Sequence, residues 1–550
     1  MGEFKSSFGE NIFREKYAIN SSQTWKDKVH SLVEDVCGDS RDNKFGPLLS
    51  LEERHALEQM ILEFKFLPGG RYIYYAGRPA KYWNNCFMLR GEEDTREEWG
   101  ALANRAFSCL MVGGGIGVDY SVFRPSGSVL SRTGGIASGP IPLAKSINEI
   151  GRNVCQGGSR RSAIYGSLNW QHEDARDFLV AKNWSEQKLN SAGYTVSDAK
   201  RDDFNFNAPL DMTNISLNYD DAWLDKINIG DLPDVYLTNV RQALMTGEPG
   251  FSFNFGAKSR ETLRNACTEL TSSDDSDVCN IGSINFGKLQ TLEEARRTIY
   301  LASKFLICGT IRAEVPYDKV HQVRKNNRRI GLGLMGIHEW LLKRNYRYEF
   351  NDELHAWFRA YQEESERGAN EQCDRFYLNR PKGYRAIAPT GTIAILAGTT
   401  SGIEPLFAVA YKRRYLSGSV WRYEYVVDSI AKLLLDQGIS PDAIETAADL
   451  ATDTERRISF QFEAQKYVDH AISSTINLPP WGSESNNDDH VLPFAKTLAK
   501  YAHGLRGLTC YPDGSRGGQP LTLVPYLEVK DRVGVVYEEN SSCRDGVCGI

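Results

Sequence analysis

The most informative stretch of the sequence is Asn265-Ala266-Cys267-Thr268-Glu269-Leu270. In an extended segment the side chains alternate across the backbone, so Asn265, Cys267 and Glu269 would project on the same side. An amide, a thiol and a carboxylate would then share one small space. A lone cysteine is often simply a small buried apolar group, so this segment alone leaves a structural and a catalytic interpretation open.

Short apolar or alternating runs recur on both sides of this stretch. They are AIYGSLNW (163–170), MTNISLN (212–218), GFSFNF (250–255), GSINFG (282–287), YRAIAPTGTIAIL (384–396) and GLTCY (507–511). Helical patterns separate them, as in LEEARRTIYLASKFLIC (292–308) and VWRYEYVVDSIAKLLLDQ (420–437). Strands interleaved with helices predict an α/β fold with a largely parallel sheet, whose functional groups gather on loops at one end of the strands. The helical spacing of LEERHALEQMILEFKF (51–66) predicts an N-terminal helical module up to about residue 80.

The composition excludes several classes of protein. The 550 residues are 25% charged and 41% hydrophobic, with 65 basic against 71 acidic side chains. A net charge of -6 does not suit a protein that binds the nucleic acid backbone. No apolar run approaches the length of a membrane span, and the chain begins without an apolar secretory core. We therefore expect a cytoplasmic protein, in the host cytoplasm if a phage encodes it, that binds neither nucleic acid nor membrane.

The eleven cysteines are too sparse, and odd in number, for a secreted disulfide framework. Two of them, Cys543 and Cys548, lie in the polar C-terminal stretch YEENSSCRDGVCGI (537–550). Five positions apart around a glycine, in a segment with little to bury, they can close a small disulfide ring by thiolate exchange. This pattern predicts a mobile tail that carries reducing equivalents to a buried site.

Glycine-rich segments suggest phosphate binding. GLGLMG (331–336) has the spacing of a dinucleotide-binding loop, but polar, basic residues stand where that loop requires a strand. We interpret its glycines as positions where a helix or turn packs closely. PTGT (389–392), QGGSRR (156–161) and GGGIG (113–117) can each present backbone N–H groups to an anion. Together they predict a protein that handles more than one nucleotide or phosphate.

These segments together resemble the ribonucleotide reductase family. NACTEL resembles the Asn-x-Cys-x-Glu signature of its central finger loop, and further matches follow in the expected order: NNCFML, VCQGGSRRSA, DVCNIGSINFG, RRIGLGLMG, PTGTIAILAGTTSGIEP, GLTCYPDGSR and CRDGVC. They extend from about residue 65 to residue 550. The resemblance identifies the chain as a catalytic chain of the short phage type. It implies a ten-stranded α/β barrel, made of two parallel five-stranded halves that run antiparallel to each other, with the finger loop threaded through the middle.

The resemblance also implies an activity and a role for each catalytic residue. The reaction would be the reduction of ribonucleoside di- or triphosphates to 2′-deoxyribonucleotides. Cys267 would form the thiyl radical that abstracts the 3′-hydrogen of the ribose. Glu269 would take the proton of the 3′-hydroxyl, and Asn265 would hydrogen-bond the substrate hydroxyls. Cys86 and Cys279 would supply two electrons and become a disulfide.

Further residues would serve reductant, substrate and effector. By the same resemblance, Cys543 and Cys548 would reduce that disulfide and be regenerated by a thioredoxin or glutaredoxin-like protein. The substrate phosphates would bind at Pro389, Thr390, Gly391 and Thr392. A dNTP or ATP effector would be contacted by Asp94, Arg124, Gln156, Gly157, Arg160 and Arg161, with Glu93 as an alternative to Asp94. We expect a homodimer, because effector loops of the family assemble at a two-fold interface, and we assign no residue to a metal.

The domain plan and the radical source depend on where the chain departs from the family. Only 85 residues precede Cys86, too few for the usual helical module together with an ATP-cone. We therefore expect a helical module without a cone at 1–80, the barrel at 81–530 and a flexible redox-active tail at 531–550.

Members that pair with a ferritin-like dimetal subunit carry two consecutive tyrosines near the C-terminal strand. Here Cys510-Tyr511 occupies that place, which resembles the adenosylcobalamin-dependent class. The compact phage-type length fits a ferritin-like partner instead, so we weigh the two radical sources equally. Tyr511 is the residue through which a radical would pass inward. The alternative function is a nucleotide-sensing or structural paralogue without catalysis, against which the intact set of three thiols argues.

Overall fold

The computed structural model describes residue 4 and residues 7–39, 46–154, 162–203, 206–417, 420–515 and 521–538. Its strands are β1 Phe66–Pro68, β2 Cys86–Arg90, β3 Gly115–Asp119, β4 Ile164–Asn169, β5 Thr213–Tyr219, β6 Gly250–Phe253, β7 Leu263–Arg264, β8 Thr271–Ser272, β9 Asp277–Asn285, β10 Ile330–Met335, β11 Ala410–Ser417, β12 Val420–Val427, β13 Thr475–Leu478, β14 Gly507–Pro512, β15 Leu521–Leu523 and β16 Val536–Glu538.

The helices fall between these strands, which gives the chain its α/β order. They are α1 Ser7–Ile12, α2 Trp25–Cys37, α3 Leu51–Leu62, α4 Gly70–Tyr75, α5 Arg96–Met111, α6 Pro140–Asn153, α7 Ala175–Val180, α8 Val196–Asp202, α9 Asp221–Asn228, α10 Asp234–Thr246, α11 Leu292–Arg312, α12 Asp318–Asn327, α13 Ile337–Lys343, α14 Asp352–Arg375, α15 Gly391–Ala397, α16 Ser429–Asp436, α17 Ala447–Leu450, α18 Thr454–Gln465, α19 Val491–Ala502 and α20 Tyr526–Val529. Hydroxyl caps start several of them: the side chains of Ser50 and Thr291 accept N–H groups of the first turns of α3 and α11.

Ten strand positions close into a barrel. In the first half, β2 to β6 run parallel in chain order. The second half runs parallel through β9, β10, residues 385–387, β13 and β14, with bridges that join Leu332 to Arg385 and Ile387 to Ile472. The halves meet antiparallel at β2 with β9 and at β6 with β14. The predicted ten-stranded α/β barrel is therefore confirmed.

A finger hairpin, residues 263–272, enters the barrel. Its two arms are β7 and β8, which pair antiparallel with Leu263 opposite Ser272. Leu263 and Leu270 form a small apolar cluster inside the barrel with residues of β2, β9 and the 386–388 segment. The much larger clusters outside the barrel pack its strands against the helices. The finger hairpin thus sits in a core of its own, as the family resemblance implies.

Glycines make room for the finger hairpin on two strands. A Cβ on Gly117 of β3 would lie 1.8 Å from the carbonyl oxygen of Arg264, and one on Gly331 of β10 would lie 3.3 Å from a methyl carbon of Leu270. The GLGLMG glycines were interpreted as positions where a helix or turn packs closely. Gly331 and Gly333 lie in strand β10, and Gly336 is the left-handed N-cap of α13. Their use for close packing holds, since a Cβ on Gly333 would lie 2.5 Å from the carbonyl oxygen of Ala386.

Two other predictions need correction. Residues 420–437 were predicted to be helical, but 420–427 form strand β12, paired with β11, and only α16 is helical. Aromatic and β-branched residues favour a strand, and Asp428 caps α16 by accepting the N–H of Ile430 at 2.8 Å. Strand β16 pairs with β12 inside the segment expected to be a flexible tail from residue 531, with the ring of Tyr537 stacked on that of Tyr423.

The N-terminal segment packs on the barrel. Strand β1 pairs antiparallel with β9, and α2 and α3 pack against α11. α1 packs against α15, the helix that follows the PTGT segment. Within the described ranges, no helix is long and apolar enough to cross a lipid bilayer.

Candidate active site

The tip of the finger hairpin is a turn and not the extended segment that the sequence suggested. The N–H of Thr268 donates to the carbonyl oxygen of Asn265 at 3.0 Å, and Thr268 has a φ of 69°. The Asn265 side chain stabilises the turn, because its Oδ1 accepts the N–H of Leu270 at 2.9 Å. Strict alternation was therefore the wrong reason for grouping Asn265, Cys267 and Glu269.

Cys267 and Glu269 nevertheless line one cavity of about 300 Å³. The other walls come from Cys86 at the start of β2, from Gly115 at the start of β3 and from residues 388–393. A volume of this size lies at the lower end of the range for small-molecule sites. The structure therefore brings the predicted radical cysteine, the predicted base, one predicted reducing cysteine and the predicted phosphate segment to a single cavity.

Cys86 and Cys279 lie directly opposite each other on the antiparallel strands β2 and β9. Opposed residues of such a pair have Cα atoms about 4.5–5.5 Å apart, within the range of about 4.4–6.8 Å that a disulfide spans. Neither cysteine is in a disulfide in the structure, and both are buried. Burial raises the pKa of the Cys279 thiol well above its usual range, which keeps this group protonated and able to give up hydrogen as well as electrons.

Glu269 is 2% exposed, and this burial raises the pKa of its carboxyl group to about 7, with the nearby Asn265 amide acting in the opposite direction. Within the described part of the chain, Oε2 of Glu269 and Nδ2 of Asn265 are both buried and make no hydrogen bond of normal geometry, although the Asn265 amide lies near enough to Glu269 to lower its pKa. Buried polar atoms of this kind normally have partners. An acceptor and a donor thus remain for a polar molecule at the hairpin tip.

The predicted phosphate segment forms the N-terminus of α15, which begins at Gly391. Pro389, Thr390, Gly391 and Thr392 all line the 300 Å³ cavity. Thr390 is the left-handed N-cap of α15, with a φ of 53°, and its hydroxyl accepts the N–H of Gly402 at 2.9 Å. The first N–H groups of a helix have no partner within the helix, so this turn can offer donors to an anion at the cavity wall.

A second cavity also reaches Cys267 and shares Ala266, Cys267 and Pro389 with the first. Its volume is about 220 Å³, and Thr268, Thr509, Cys510 and Tyr511 are among its other lining residues. A third cavity of about 610 Å³ shares Asn214 and Glu248 with it. Cys267 therefore lines both the cavity with the phosphate segment and the adjoining cavity with the predicted radical residue Tyr511.

Asp94 and Arg124 are the two predicted effector residues that the structure describes. Arg124 pairs with Asp94, with Nε 2.6 Å from Oδ2 and Nη2 donating to the Asp94 carbonyl oxygen at 3.1 Å. Neither residue lines the cavities described above. Gln156, Gly157, Arg160, Arg161, Cys543 and Cys548 lie outside the described residues.

Sequence reasoning missed several residues of the substrate cavity. Tyr17, Gly69, Gly70, Asn85 and Ser283 line it as well. Asn85 and Ser283 are close in sequence to Cys86 and Cys279 and could have been found through them. Tyr17 precedes the first barrel strand by about seventy residues and carries no motif, so only the packing of the N-terminal segment reveals it.

Comparisons with known proteins agree with this geometry. The family model described as "Ribonucleotide reductase, barrel domain" matches residues 84–204, 240–364 and 382–511. The chain is 26% identical to a vitamin B12-dependent ribonucleoside-diphosphate reductase of Thermoplasma acidophilum, over 84% of this chain and 66% of that protein. It is also 26% identical to a protein of the same name from Mycobacterium tuberculosis, over 93% of this chain and 80% of that one.

A phage protein and a solved structure are similar too. A protein of Mycobacterium phage D29, named as an adenosylcobalamin-dependent ribonucleoside-triphosphate reductase, is 26% identical over 85% of this chain and 76% of its own length. The class Id ribonucleotide reductase alpha subunit of Actinobacillus ureae shares the fold, with a TM-score of 0.70, 16% identity and coverage of 92% of this chain and 97% of that one.

These comparisons bear on the family and on the radical source. The three sequence relatives are named for vitamin B12 or adenosylcobalamin, so the equal weight given to a ferritin-like radical source finds no support among them. The family model covers more than half of the chain, including both halves of the barrel and the finger hairpin between them. The chain therefore belongs to the ribonucleotide reductase family, of which it carries the barrel.

Proposed function

We propose that this chain reduces ribonucleoside di- or triphosphates to 2′-deoxyribonucleotides through a thiyl radical at Cys267. The observation that carries the proposal is the single 300 Å³ cavity lined by Cys267, Glu269, Cys86 and the phosphate segment. A ribonucleotide whose phosphates bind at residues 389–392 would place its ribose at the tip of the finger hairpin. The chemistry and the anchoring of the substrate would then share one enclosed space.

At the ribose, the hairpin tip supplies three functions. The Cys267 radical takes the 3′-hydrogen, and the ionised Glu269 accepts the proton of the 3′-hydroxyl, for which it must lie within hydrogen-bond reach. The unpartnered Nδ2 of Asn265 donates to a ribose hydroxyl. The pKa of about 7 for Glu269 suits a base that works near neutral pH.

Cys86 and Cys279 supply the electrons and protons of the reduction. Replacing the 2′-hydroxyl by hydrogen requires two electrons and two protons, and it releases water. Two thiols that become one disulfide supply two electrons and two protons. The two cysteines lie opposite each other on neighbouring strands, which fits a disulfide bond between them. A second dithiol must then reduce this disulfide by exchange. We assign that step to Cys543 and Cys548, with a thioredoxin or glutaredoxin-like protein as the final reductant.

The radical source that we propose is adenosylcobalamin, because the three sequence relatives are named for it. The 220 Å³ cavity on the Tyr511 side of Cys267 is lined by polar groups, including Asn214, Ser216, Thr475 and Thr509. These donors and acceptors suit a nucleoside such as the adenosyl group. When bound, the cofactor would supply the one-electron oxidation that turns the Cys267 thiol into a thiyl radical.

The larger part of such a cofactor would occupy the adjoining cavity of about 610 Å³ and extend beyond it, since this volume is that of a small-molecule site. Its walls include the indole rings of Trp184 and Trp481 and the hydroxyl of Ser515. Ser515 Oγ is buried and has no hydrogen-bond partner in the described ranges. Broad apolar rings and an unused polar atom are what a large, mixed-polarity cofactor would contact.

Regulation and assembly complete the proposal. A dNTP or ATP effector would bind near Asp94 and Arg124, whose ion pair would open to admit it, in a homodimer. None of the eight described cysteines is in a disulfide, which suits the reducing cytoplasm.

The deciding experiment measures deoxynucleotide formation by the isolated chain with CDP and CTP, with dithiothreitol as reductant, with and without adenosylcobalamin. We expect turnover only with the cofactor, none for Cys267→Ser, and the wild-type rate for Cys308→Ser, which changes a buried cysteine of α11. Turnover that survives in Cys267→Ser would overturn the radical assignment. Turnover that requires an added ferritin-like protein would overturn the assignment of adenosylcobalamin as the cofactor. Nucleotide binding without turnover, with or without the cofactor, would favour a sensing paralogue.

A further inference from the structure

The two arms of the finger hairpin meet a cluster of charged side chains at the base of the hairpin. Glu261, just before β7, accepts the hydroxyl of Thr271 on β8 at 2.9 Å and both terminal N–H groups of Arg506 at 3.1 Å. Nη1 of Arg329 lies 3.7 Å from the same carboxylate. We call Glu261, Thr271, Arg329 and Arg506 the base cluster. None of its members lines the substrate cavity.

The base cluster connects the hairpin to two strands of the barrel. Arg506 directly precedes β14, and Arg329 directly precedes β10. Arg329 is also held by Asp277 of β9, with Nε donating to Oδ2 at 2.8 Å. The Glu261 carboxylate thus joins both arms of the hairpin to the residues that directly precede β10 and β14.

Arg264 on β7 reinforces this connection. It is 1% exposed, and its Nη2 donates to Oδ1 of Asn254 at 2.8 Å and to the carbonyl oxygen of Arg506 at 3.0 Å. Its Nη1 donates to the carbonyl oxygen of Glu261 at 2.6 Å. A buried guanidinium that contacts only neutral acceptors adds positive charge here, and the carboxylate of Glu261 offsets it.

The returning arm transmits this anchoring to the catalytic base. The N–H of Ala471 donates to the carbonyl oxygen of Glu269 at 2.8 Å. Two residues later, the N–H of Thr271 donates to Nδ1 of His470 at 3.3 Å. The backbone between Glu269 and Thr271 is therefore held by the 470–471 segment on one side and by Glu261 on the other.

The charge balance shows why Glu261 matters most. Burial raises the pKa of its carboxyl group, but Arg506 and Arg329 outweigh this and hold the pKa at about 2. Without this charge, the buried Arg506 would lose its carboxylate partner, and removal of one partner of a buried ion pair is strongly unfavourable. The local structure would relax, and the two arms it connects would move.

We propose that Glu261 is a positioning residue, which fixes the finger hairpin so that Cys267 and Glu269 meet the substrate in a productive geometry. This inference rests on the proposed function. It adds a residue outside the substrate cavity on which the rate of the chemical step depends. A displacement of about 1 Å at a reacting group can reduce a rate on the order of 100-fold.

The test compares Glu261→Gln and Thr271→Val with the matched control Glu364→Gln. Glu364 on α14 also pairs with two arginines, Arg296 and Arg367, and is largely buried, but it lies on the outer side of the barrel wall. We expect kcat to fall about 10- to 100-fold in Glu261→Gln and several-fold in Thr271→Val, with the Kd for CDP and CTP within about twofold of wild type. Glu364→Gln keeps the wild-type kcat.

A second readout needs no turnover. The rate at which iodoacetamide alkylates Cys267, measured by mass spectrometry of its peptide in the protein without ligands, reports the mobility of the hairpin tip. It should rise in Glu261→Gln and Thr271→Val and stay at the wild-type value in Glu364→Gln. An unchanged kcat and alkylation rate in both base-cluster variants of an active enzyme would refute the inference. Failure of the proposed function is distinct, since the wild-type chain would then form no deoxynucleotide whatever the alkylation rates.

Discussion

Glu269 is the residue whose physical chemistry gives the sharpest prediction. It is fully buried at the tip of the finger hairpin, and burial raises the pKa of its carboxyl group from 4.5 to about 7. As the base of the proposed reaction, it must be ionised in the free enzyme. About one tenth of the molecules carry the ionised form at pH 6 and about nine tenths at pH 8. We therefore expect kcat/KM to rise about tenfold between these two pH values.

The same raised pKa has a consequence for stability with a definite sign. The folded protein holds the proton of Glu269 more tightly than the unfolded chain does. The contribution of Glu269 to the free energy of unfolding is therefore fully present below pH 4.5, and it is lost as the pH rises through about 7. A rise in pKa of this size corresponds to at most about 3 kcal/mol at pH 8. Glu269→Gln removes the charge, so the variant should lose activity and gain up to that amount of stability over wild type at pH 8, but not at pH 4.

Three measurements check this. Deoxynucleotide formation gives kcat/KM from pH 6 to 8, CDP binding over the same range separates substrate affinity, and urea unfolding at pH 4 and pH 8 gives the difference in stability. Glu484→Gln makes the same change at an exposed surface position and should leave activity and unfolding as in wild type. A kcat/KM that does not change with pH would show that Glu269 is not the base. A Glu269→Gln variant no more stable than wild type at pH 8 would show that its environment already compensates the charge.

Other predictions concern the electron supply and the cavity wall. Cys279→Ser should stop sustained deoxynucleotide formation because no disulfide with Cys86 can form, whereas Cys308→Ser should not; equal multiple-turnover rates would contradict the dithiol. Tyr17→Phe should raise KM for the nucleotide several-fold and leave kcat nearly unchanged, because Tyr17 lies in the cavity wall; an unchanged KM would remove it from the substrate contacts. Replacing Cys543 and Cys548 together by serine should abolish turnover with a thioredoxin system, and dithiothreitol should partly restore it; full thioredoxin-driven turnover would exclude the tail from the relay.

Only part of the barrel could be predicted, from runs that are short, apolar and separated from the next by a helix. These runs lie at β4, β5, β6, β9, residues 385–387 and β14, whereas β2, β3, β10 and β13 were not predicted as strands. The runs at 163–170 and 212–218 lie in β4 and β5, and their parallel order follows from the helices between them. Residues 420–427 were harder, because the polar and aromatic residues before α16 look like the first turns of that helix. Their pairing with β11 is a tertiary contact, and it overrides local preference.

The sequence grouped the residues of the hairpin tip correctly, but the backbone conformation that it assumed was wrong. Spacing placed Asn265, Cys267 and Glu269 together through an extended backbone, whereas the turn at Thr268 does so in fact. A non-glycine residue with positive φ has no reliable sequence signal. Tyr17 was out of reach for a similar reason, since a residue that reaches a cavity through the docking of a separate segment leaves no local pattern.

Glycine spacing carried more information about the finger hairpin than about phosphate. Alternate residues of a barrel strand face the interior, and in β3 the alternate positions Gly115 and Gly117 are both glycines. A Cβ at Gly115 would lie 3.0 Å from that of Ala266, and one at Gly117 would overlap the backbone of Arg264. Gly331 of β10 does the same for the returning arm at Leu270. A Gly-x-Gly pair inside a strand therefore marks where another segment approaches closely. Gly115 and Gly117 border the hairpin that carries the proposed radical, whereas in β10 Gly331 meets the Leu270 side chain and Gly333 meets the backbone of Ala386.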